Sequence, residues 1–336
     1  MDKKIPTIKE IAIQLNVSVS TVSRALHNHP SIGLQTRLRV QALAKELNYE
    51  PNQTAIFFKQ GKTSTIGVIL PRFSEEFFSM AINGIEDMAS MNKYNVLIGQ
   101  SQDNMEKEKR IVDMMKNNRV DGLLVSVSKN TSSYEHFENL RNYNIPVVFF
   151  DCVPDLPGLN SVSCNLGTGT LQAVTYLVKK GHTRIGLLNG PSQLQATAQR
   201  REFFEQGLKK NLLKIHPSLI VETDLSAAGN QTALRQMLSQ SKPPTAVVAF
   251  NDYVALDALQ YLRTQKSPKV KNIGFVSFAH LPLCRYLDNP PLASVEQFPY
   301  EQGYKAMEML YHLLNSREET PPNTQIVLES ELRAIA

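Results

Sequence analysis

The residues best suited to chemistry in this chain lie on a predicted helix at positions 19–26. Its apolar positions Val22, Ala25 and Leu26 face inward at helical spacing, which leaves five residues facing outward: Val19, Ser20, Thr21, Ser23 and Arg24. The outward set is short, polar and ends in a cation. A guanidinium such as that of Arg24 can donate to O6 and N7 of a guanine at once in the DNA major groove. The pattern therefore indicates contact with double-stranded DNA.

A second short helix precedes this one and predicts how it is positioned. Thr7 and Glu10 have the spacing of a capping box, in which each side chain bonds the other's backbone N–H. Asn16 stands where the chain must reverse, and Asn tolerates the left-handed conformation. Ser18 is a suitable N-cap for the helix at 19–26. The inward residues of the first helix are Ile8, Ile11, Ala12 and Leu15.

A third helix is expected from about Leu34 to Asn48, ended by Pro51. Five of its residues are predicted to close a small core over the first two helices: Leu38, Val40, Leu43, Ala44 and Leu47. An ordinary helical hairpin is the alternative to a helix-turn-helix. Charge favours DNA binding, because residues 1–62 hold an excess of five positive charges, equal to the net charge of +5 of all 336 residues.

Composition limits the remaining possibilities. At 336 residues and 42% hydrophobic content, the chain can form a small domain and a large one with a substantial core. It has no apolar run long enough to span a bilayer, and MDKKIPTIKE lacks the apolar stretch of a signal peptide, so we expect a cytoplasmic protein and no membrane partner. The three cysteines form no CxxC pair, so we expect reduced thiols, no metal and no cofactor.

Short apolar runs alternate with amphipathic stretches from Ile66 onward, a pattern typical of parallel sheets covered by helices. The runs are at 66–70, 95–99, 122–127, 146–150, 184–188, 246–250 and 273–278. Ligands bind beyond the carboxyl ends of strands in such sheets. Polar side chains gather there in this chain: Arg72, Gln100, Ser101, Ser126, Ser128, Asp151, Asn189, Asn251, Asp252 and His280.

The segment at 52–60 predicts a short conditional helix. Asn52 is a cap at its start and Gly61 follows its end, but about nine residues are marginal for an isolated helix. Ile56, Phe57 and Phe58 are apolar and require a partner surface, either a second subunit or nucleic acid.

Several motifs in order along the chain resemble the LacI/GalR family of bacterial transcription regulators. The run Thr7–Arg24 is followed by LNYEPN at 47–52 and TSTIGVILP at 63–71. Further matches are VDGLLV at 120–125, IPVVFFD at 145–151, GHTRIGLLNGP at 181–191 and FND at 250–252. The resemblance covers nearly the whole chain.

The resemblance implies an α/β architecture: an N-terminal three-helix helix-turn-helix head, then two doubly wound parallel sheets like those of periplasmic binding proteins. It implies a DNA-binding domain at 1–51, a hinge at 52–62 and an effector-binding and dimerisation domain at 63–336. Three crossovers would connect the two lobes of that domain. The first lobe would span about 63–163 and 295–322, and the second about 164–294 and 323–336.

The resemblance also assigns DNA contacts. Val19 and Ser20 occupy base-reading positions beside Arg24, and a Val suits a thymine methyl. Phe58 stands where the family usually has a Leu that enters the minor groove, with Ala55 beside it; the alternative is that Phe58 packs between subunits. Thr7, Thr21 and Ser23 match hydroxyls that contact phosphates. The other predicted DNA contacts are Ser18, His27 and Asn52.

Effector contacts implied by the resemblance are Arg200, Ser126, Asn251, Gln297 and, unless they are plain core, Phe77 and Phe78. Two departures bear on the ligand. Asn165 stands where the family commonly has Asp, and Ala279 replaces a sugar-binding Asp. With two carboxylates replaced and Arg200 kept, we expect an anionic effector such as a uronic acid or a sugar phosphate.

The sequence thus predicts a homodimeric transcriptional regulator, a repressor, that binds a pseudo-palindromic operator and responds to a small carbohydrate or sugar acid. Two other classes are weighed against it. A solute-binding protein is disfavoured by the basic head, and a cleft enzyme by the lack of HExxH or GxSxG motifs. The glycines at 61 and at 167–169 form no complete phosphate-binding loop.

Overall fold

The computed structural model describes residues 6–50, 61–192, 194–265, 272–316 and 323–335. The chain divides into two compact units, Met1–Thr63 and Ser64–Ala336.

Over residues 6–50, the first unit is a bundle of three helices, α1 (Ile8–Leu15), α2 (Val19–Leu26) and α3 (Leu34–Glu46). The predicted capping box of α1 is present: the backbone N–H of Thr7 donates to Glu10 over 2.9 Å, and the N–H of Glu10 donates to Thr7 Oγ1 over 3.3 Å. Asn16 adopts the left-handed conformation at φ 52° and ends α1. These local contacts fix the angle at which the chain enters α2.

The core of this bundle consists of six buried side chains from the three helices: Ile11, Ala12, Val22, Ala25, Val40 and Ala44. The prediction that Leu38 belongs to this core is wrong, since 56% of it is exposed. Two residues at 100° each place Leu38 about 200° around the helix from Val40, on the opposite face. The helix also ends two residues before the predicted Asn48.

The second unit contains twelve strands and eight α-helices within the described residues. The strands are β1 (Thr65–Leu70), β2 (Asn95–Gln100), β3 (Gly122–Val125), β4 (Val147–Phe150), β5 (Asn160–Asn165), β6 (Ile185–Asn189), β7 (Ile220–Glu222), β8 (Ala246–Ala249), β9 (Gly274–Phe278), β10 (Ala293–Glu296), β11 (Gln325–Glu329) and β12 (Glu331–Ala334). The helices are α4 (Glu76–Met91), α5 (Met105–Asn117), α6 (Glu135–Glu138), α7 (Leu166–Lys179), α8 (Gln195–Lys210), α9 (Ala227–Leu238), α10 (Asp252–Thr264) and α11 (Pro299–Asn315). Short 3₁₀ helices cover Asn139–Tyr143, Pro217–Leu219 and Pro282–Tyr286.

The strands form two six-stranded sheets, with the orders β11-β5-β4-β3-β1-β2 and β12-β10-β9-β8-β6-β7. All described pairings are parallel except that of β12 with β10. Each sheet has hydrophobic clusters between its strands and its helices. The expected α/β architecture with two doubly wound sheets is confirmed, and all seven predicted apolar runs contain a strand.

The sheet that contains β11 is not the one that the predicted division of the lobes implies. Residues 323–336 were assigned to the second lobe, but β11 pairs with β5 in the first sheet, and only β12 joins the second. The chain passes between the sheets at Ser330, whose hydroxyl accepts from the N–H of Gly169 at the start of α7. The pairing of β11 with β5 joins segments about 160 residues apart, and the local sequence does not reveal it.

Candidate functional site

The outer face of α2 has the composition predicted for DNA contact. Val19, Ser20, Arg24 and His27 are exposed, whereas Thr21 and Ser23 are partly covered. Residues 19, 20, 23, 24 and 27 follow the spacing of one helical face, opposite the buried Val22 and Ala25. No hydrogen bond or ion pair engages the Arg24 side chain within the described residues. Its guanidinium is therefore available to an external partner.

Ser18 holds the start of this helix. Its hydroxyl accepts from the N–H of Thr21 over 3.1 Å and lies 2.8 Å from the hydroxyls of both Ser20 and Thr21. At the other end, His27 Nδ1 lies 2.8 Å from the carbonyl oxygen of Ser23. The hydroxyls that could meet phosphates are thus ordered before any ligand arrives. The predicted contacts Asn52, Ala55 and Phe58 lie outside the described residues.

A second candidate site lies where the carboxyl ends of the two sheets approach. Tyr253, at the start of α10, hydrogen-bonds the backbone of Glu76, at the start of α4. Arg200 of the second lobe interacts electrostatically with Asp151 of the first, and Asp224 does so with Lys129. The cleft between the lobes is therefore lined by charged groups of both signs.

Arg200 is the most unusual side chain in this cleft. It is 3% exposed, and its guanidinium carbon lies 4.1 Å from the ring centre of Phe250 and 4.3 Å from that of Phe278. Its position over two aromatic faces holds the guanidinium and leaves its edge for hydrogen bonds, one of which Nη1 donates to the carbonyl of Ala196 over 3.5 Å. Its Nε is buried and has no hydrogen-bond partner among the described residues. Such a group is expected to bind a ligand atom.

Burial lowers the pKa of Arg200 to about 10, an effect that Asp151 opposes, so the guanidinium is charged at neutral pH. Burial raises the pKa of Asp151, while hydrogen bonds from Cys152 and Ser126 and the charge of Arg200 lower it. Ser126 Oγ donates to Asp151 Oδ2 over 3.2 Å. The cleft thus places the Arg200 cation and the Asp151 carboxyl group within electrostatic range of each other.

Two further polar atoms beside Arg200 are buried without a partner in the described part of the chain: Asn189 Oδ1 and Thr197 Oγ1. Asn189 ends β6, and its Nδ2 donates to the carbonyl of Thr197 over 2.9 Å. Together with Arg200 Nε, they provide one acceptor, one hydroxyl and one donor in the same wall of the cleft.

Asp252 organises the loop that contains Ala279. Its carboxylate accepts from Ser277, from Ser294 Oγ over 2.7 Å and from the N–H of Leu281 over 2.7 Å. Ala279 and His280 have φ angles of 96° and 49°, so this loop contains two consecutive strained residues. Burial raises the pKa of Asp252. Asp252 supports the loop and is not available to a ligand.

The other predicted effector contacts have structural partners of their own, in the core, at helix starts or on a neighbouring side chain. Phe77 and Phe78 are 8% and 5% exposed and pack in the hydrophobic cluster of the first sheet, which favours the core interpretation. Asn165 caps α7, and its Nδ2 donates to Glu329 over 3.1 Å at the crossover between lobes. Asn251 caps α10, and Gln297 is buried with its carbonyl bonded by Gln302.

Sequence reasoning missed the aromatic stack around Arg200 and the orphan atoms of Thr197. Phe250 directly follows β8 and Phe278 ends β9, and position at a carboxyl end was the only signal that could have found them. Among the described residues, no group of three His, Cys, Asp or Glu side chains could hold a metal ion, and no helix is long and apolar enough to cross a membrane.

Residues 63–332 match the family of periplasmic binding proteins and sugar binding domains of the LacI family, and residues 7–52 match bacterial regulatory proteins of the lacI family. The chain belongs to the LacI family. Members of this family are DNA-binding transcription regulators, and the predicted class is confirmed by these matches.

Two curated relatives and one solved structure are similar to this chain over most of its length. The HTH-type transcriptional repressor CytR of Escherichia coli (strain K12) is 33% identical over 304 residues, 90% of this chain and 88% of the relative. Catabolite control protein A of Priestia megaterium is 29% identical over 328 residues, 97% and 98% of the two chains. The crystal structure of the lac repressor dimer bound to operator and the anti-inducer ONPF has a TM-score of 0.84, 24% identity and 99% coverage of both chains. The two curated relatives are regulators and not enzymes, as expected for this chain.

Proposed function

We propose that this protein is a homodimeric repressor that binds a pseudo-palindromic operator with one α2 helix in each half-site. The observation that carries the proposal is the exposed face of α2, on which the Arg24 side chain has no partner among the described residues and lies beside ordered hydroxyls. A two-fold dimer presents two such faces, and the symmetry of the operator mirrors that of the protein. The chain acts in the cytoplasm, where its DNA is.

The experiment that tests this proposal is selection of DNA from a random duplex library by the full-length protein. We expect inverted repeats whose half-sites share a guanine, bound by two protein chains per duplex in analytical ultracentrifugation. A selected site without two-fold symmetry, or binding by one chain, contradicts the proposal.

The hinge is part of this proposal. Residues 52–60 lie outside the described residues, and we keep the sequence-based expectation that these segments of the two subunits meet over the central minor groove, with Phe58 at a base step. Phe58→Ala is then expected to reduce DNA bending in circular-permutation gels, with Phe57→Ala as the matched control. Unchanged bending together with weaker dimerisation would assign Phe58 to the subunit interface.

We further propose that a small carbohydrate bound between the lobes controls operator binding. Support comes from Arg200 Nε, Asn189 Oδ1 and Thr197 Oγ1, which have no hydrogen-bond partner in the described part of the chain, and from the sugar-binding family that residues 63–332 match. A solved structure that is 26% identical, with a TM-score of 0.70 and 81% coverage of this chain, is a putative ribose operon repressor from Burkholderia thailandensis. Binding changes the relative orientation of the lobes and hence the spacing of the hinge segments.

A sugar acid is the second candidate, and Arg200 is the observation that favours it. Asp151 weakens the case for an acidic effector because it already interacts electrostatically with Arg200. Asn165 no longer supports an acidic effector because its side chain donates to Glu329. Calorimetry with glucuronate and glucose separates the two classes. If the effector is an acid, Asp151→Asn tightens its binding, because the amide cannot carry a like charge and can donate to the ligand. If the effector is neutral, the same change weakens binding, because it replaces one of the two acceptor oxygens of Asp151 by a donor.

A further inference from the structure

A fully buried carboxylate lies behind the cleft, on the helix α5 of the first lobe. Glu108 is 0% exposed. Its Oε2 accepts from the N–H of Ser128 over 2.9 Å and from Ser128 Oγ over 2.8 Å. Its Oε1 accepts from Thr131 Oγ1 over 2.7 Å and lies 3.1 Å from His136 Nε2. One side chain of α5 therefore ties together two positions of a loop, Ser128 and Thr131, and one position of α6, His136.

These bonds compensate for the burial of a charge. Burial acts to raise the pKa of Glu108, but hydrogen bonds from His136, Ser128 and Thr131 bring it below its usual value. The carboxylate is therefore ionised at neutral pH, and a buried charge is stable only while its donors stay in place. The ionised Glu108 carboxylate orders the loop, and the loop's donors at Ser128 and Thr131 in turn stabilise the ionised carboxylate.

The loop that Glu108 holds carries groups that face the other lobe. Ser126, two residues before Ser128, donates to Asp151, which interacts with Arg200 across the cleft. Lys129 lies 3.8 Å from Asp103 and interacts with Asp224 across the cleft. The backbone of this loop also reaches the cleft floor, since the N–H of Val127 donates to the carbonyl of Cys152 over 3.1 Å.

A salt-bridge network continues from this loop along the cleft edge. Asp103 accepts from the N–H of Lys129 and from Arg72 Nε, each over 3.3 Å, and Arg72 lies 4.0 Å from Glu75. Burial raises the pKa of Glu75, and Asp151 and Asp103 add to that effect. A displacement of the loop at Lys129 would thus change the charges around Asp151 as well.

We propose that Glu108 is a positioning residue of the effector cleft: by holding the turn at 128–131 from behind, it fixes Ser126 and Lys129 against Asp151 and Asp103. Glu108 itself touches no ligand and acts through the loop. The importance of this role for regulation rests on the proposed function. The geometry can be tested without DNA or effector.

The test is the rate at which iodoacetamide labels Cys152 in the folded full-length protein, followed by peptide mass spectrometry. Cys152 adjoins Asp151, and its carbonyl bonds the loop that Glu108 holds. In Glu108→Gln, the amide cannot accept from all the donors around it, so we expect labelling of Cys152 to rise about tenfold through local opening. Cys164, in the same lobe, and Cys284, in the other, serve as internal references.

The matched control is Glu106→Gln, which removes an exposed carboxylate from the same helix, bonded to Lys109. Labelling of Cys152 should stay near the wild-type rate in that variant. If all three cysteines of Glu108→Gln react faster together, the effect is general destabilisation and the proposal is wrong; it is equally wrong if none reacts faster.

Thr131→Val is a milder variant for use if Glu108→Gln does not fold. It removes one of the four bonds, and Cys152 labelling should rise by a smaller factor, about twofold to fivefold. An unchanged rate in this variant would also overturn the proposal. These outcomes involve neither operator nor effector. Failure of the proposed function would therefore leave the assignment of Glu108 intact, and failure of the Glu108 assignment would leave the proposed function intact.

Discussion

Removal of Arg24 should reduce binding to the selected operator far more than binding to random DNA. A guanidinium that contacts a guanine by two hydrogen bonds contributes about 1–3 kcal/mol of discrimination. Since a dimer has two heads and the half-sites are far apart, the two losses add, giving about 2–6 kcal/mol per operator. At 1.4 kcal/mol per factor of ten, this is a loss of roughly 30-fold to 20,000-fold.

The structure predicts that the head itself survives this change. Arg24 is exposed and the core residues lie on the opposite face of α2, so Arg24→Ala should alter the free energy of unfolding by less than about 0.5 kcal/mol. Circular dichroism and urea unfolding of the variant provide that check. A loss of operator binding can then be assigned to the interface.

The assay is competition fluorescence anisotropy with the selected operator and a scrambled duplex of equal length, at one fixed salt concentration. Arg39→Ala is the matched control, because it removes the same charge from an exposed position on α3. It should weaken both duplexes by a similar factor. If Arg24→Ala also weakens both duplexes equally, Arg24 does not contact a base and the argument from α2 is refuted.

Three further changes test other parts of the account. Ser18→Ala removes the N-cap of α2 and should destabilise the head by about 1 kcal/mol, as measured by the urea midpoint; an unchanged midpoint would contradict the capping role. Asp252→Ala leaves buried donors at Leu281 and Ser294 without acceptors. It should lower the free energy of unfolding of the second unit by about 2–5 kcal/mol and its melting temperature accordingly, whereas a change below about 1 kcal/mol would contradict its supporting role. Arg200→Lys keeps the charge but loses the planar stack between the two rings, so it should bind effector in calorimetry more weakly than wild type; equal affinity would argue against the stacked guanidinium as a contact.

The head could be predicted from the sequence because its structure depends on local contacts. The capping box at Thr7, the left-handed Asn16 and the cap at Ser18 each involve residues within three or four positions. Leu38 was misplaced because hydrophobicity alone does not say which side of a helix faces the core. Its angular position relative to Val40 would have corrected the error.

The cleft was less predictable because its groups come from distant parts of the chain. Arg200 lies on α8, whereas Phe250 follows β8 and Phe278 ends β9, so the three meet only in the folded second lobe, and Asp151 is brought from the other lobe. Asn165 could be identified as a cap from its position before a helix, but its bond to Glu329 spans 164 residues. Long-range pairing of this kind leaves no local pattern in a single sequence.

The most direct test of the account measures operator affinity with and without a cleft ligand in wild type and in Arg200→Met. A thermal-shift screen of sugars, sugar acids and nucleosides first supplies the ligand. We predict that this ligand changes the operator Kd of the wild-type dimer by about fivefold or more, and that Arg200→Met binds the operator normally but no longer responds. A ligand that binds without changing operator affinity, or an Arg200→Met variant that responds like wild type, would contradict control of DNA binding through this cleft.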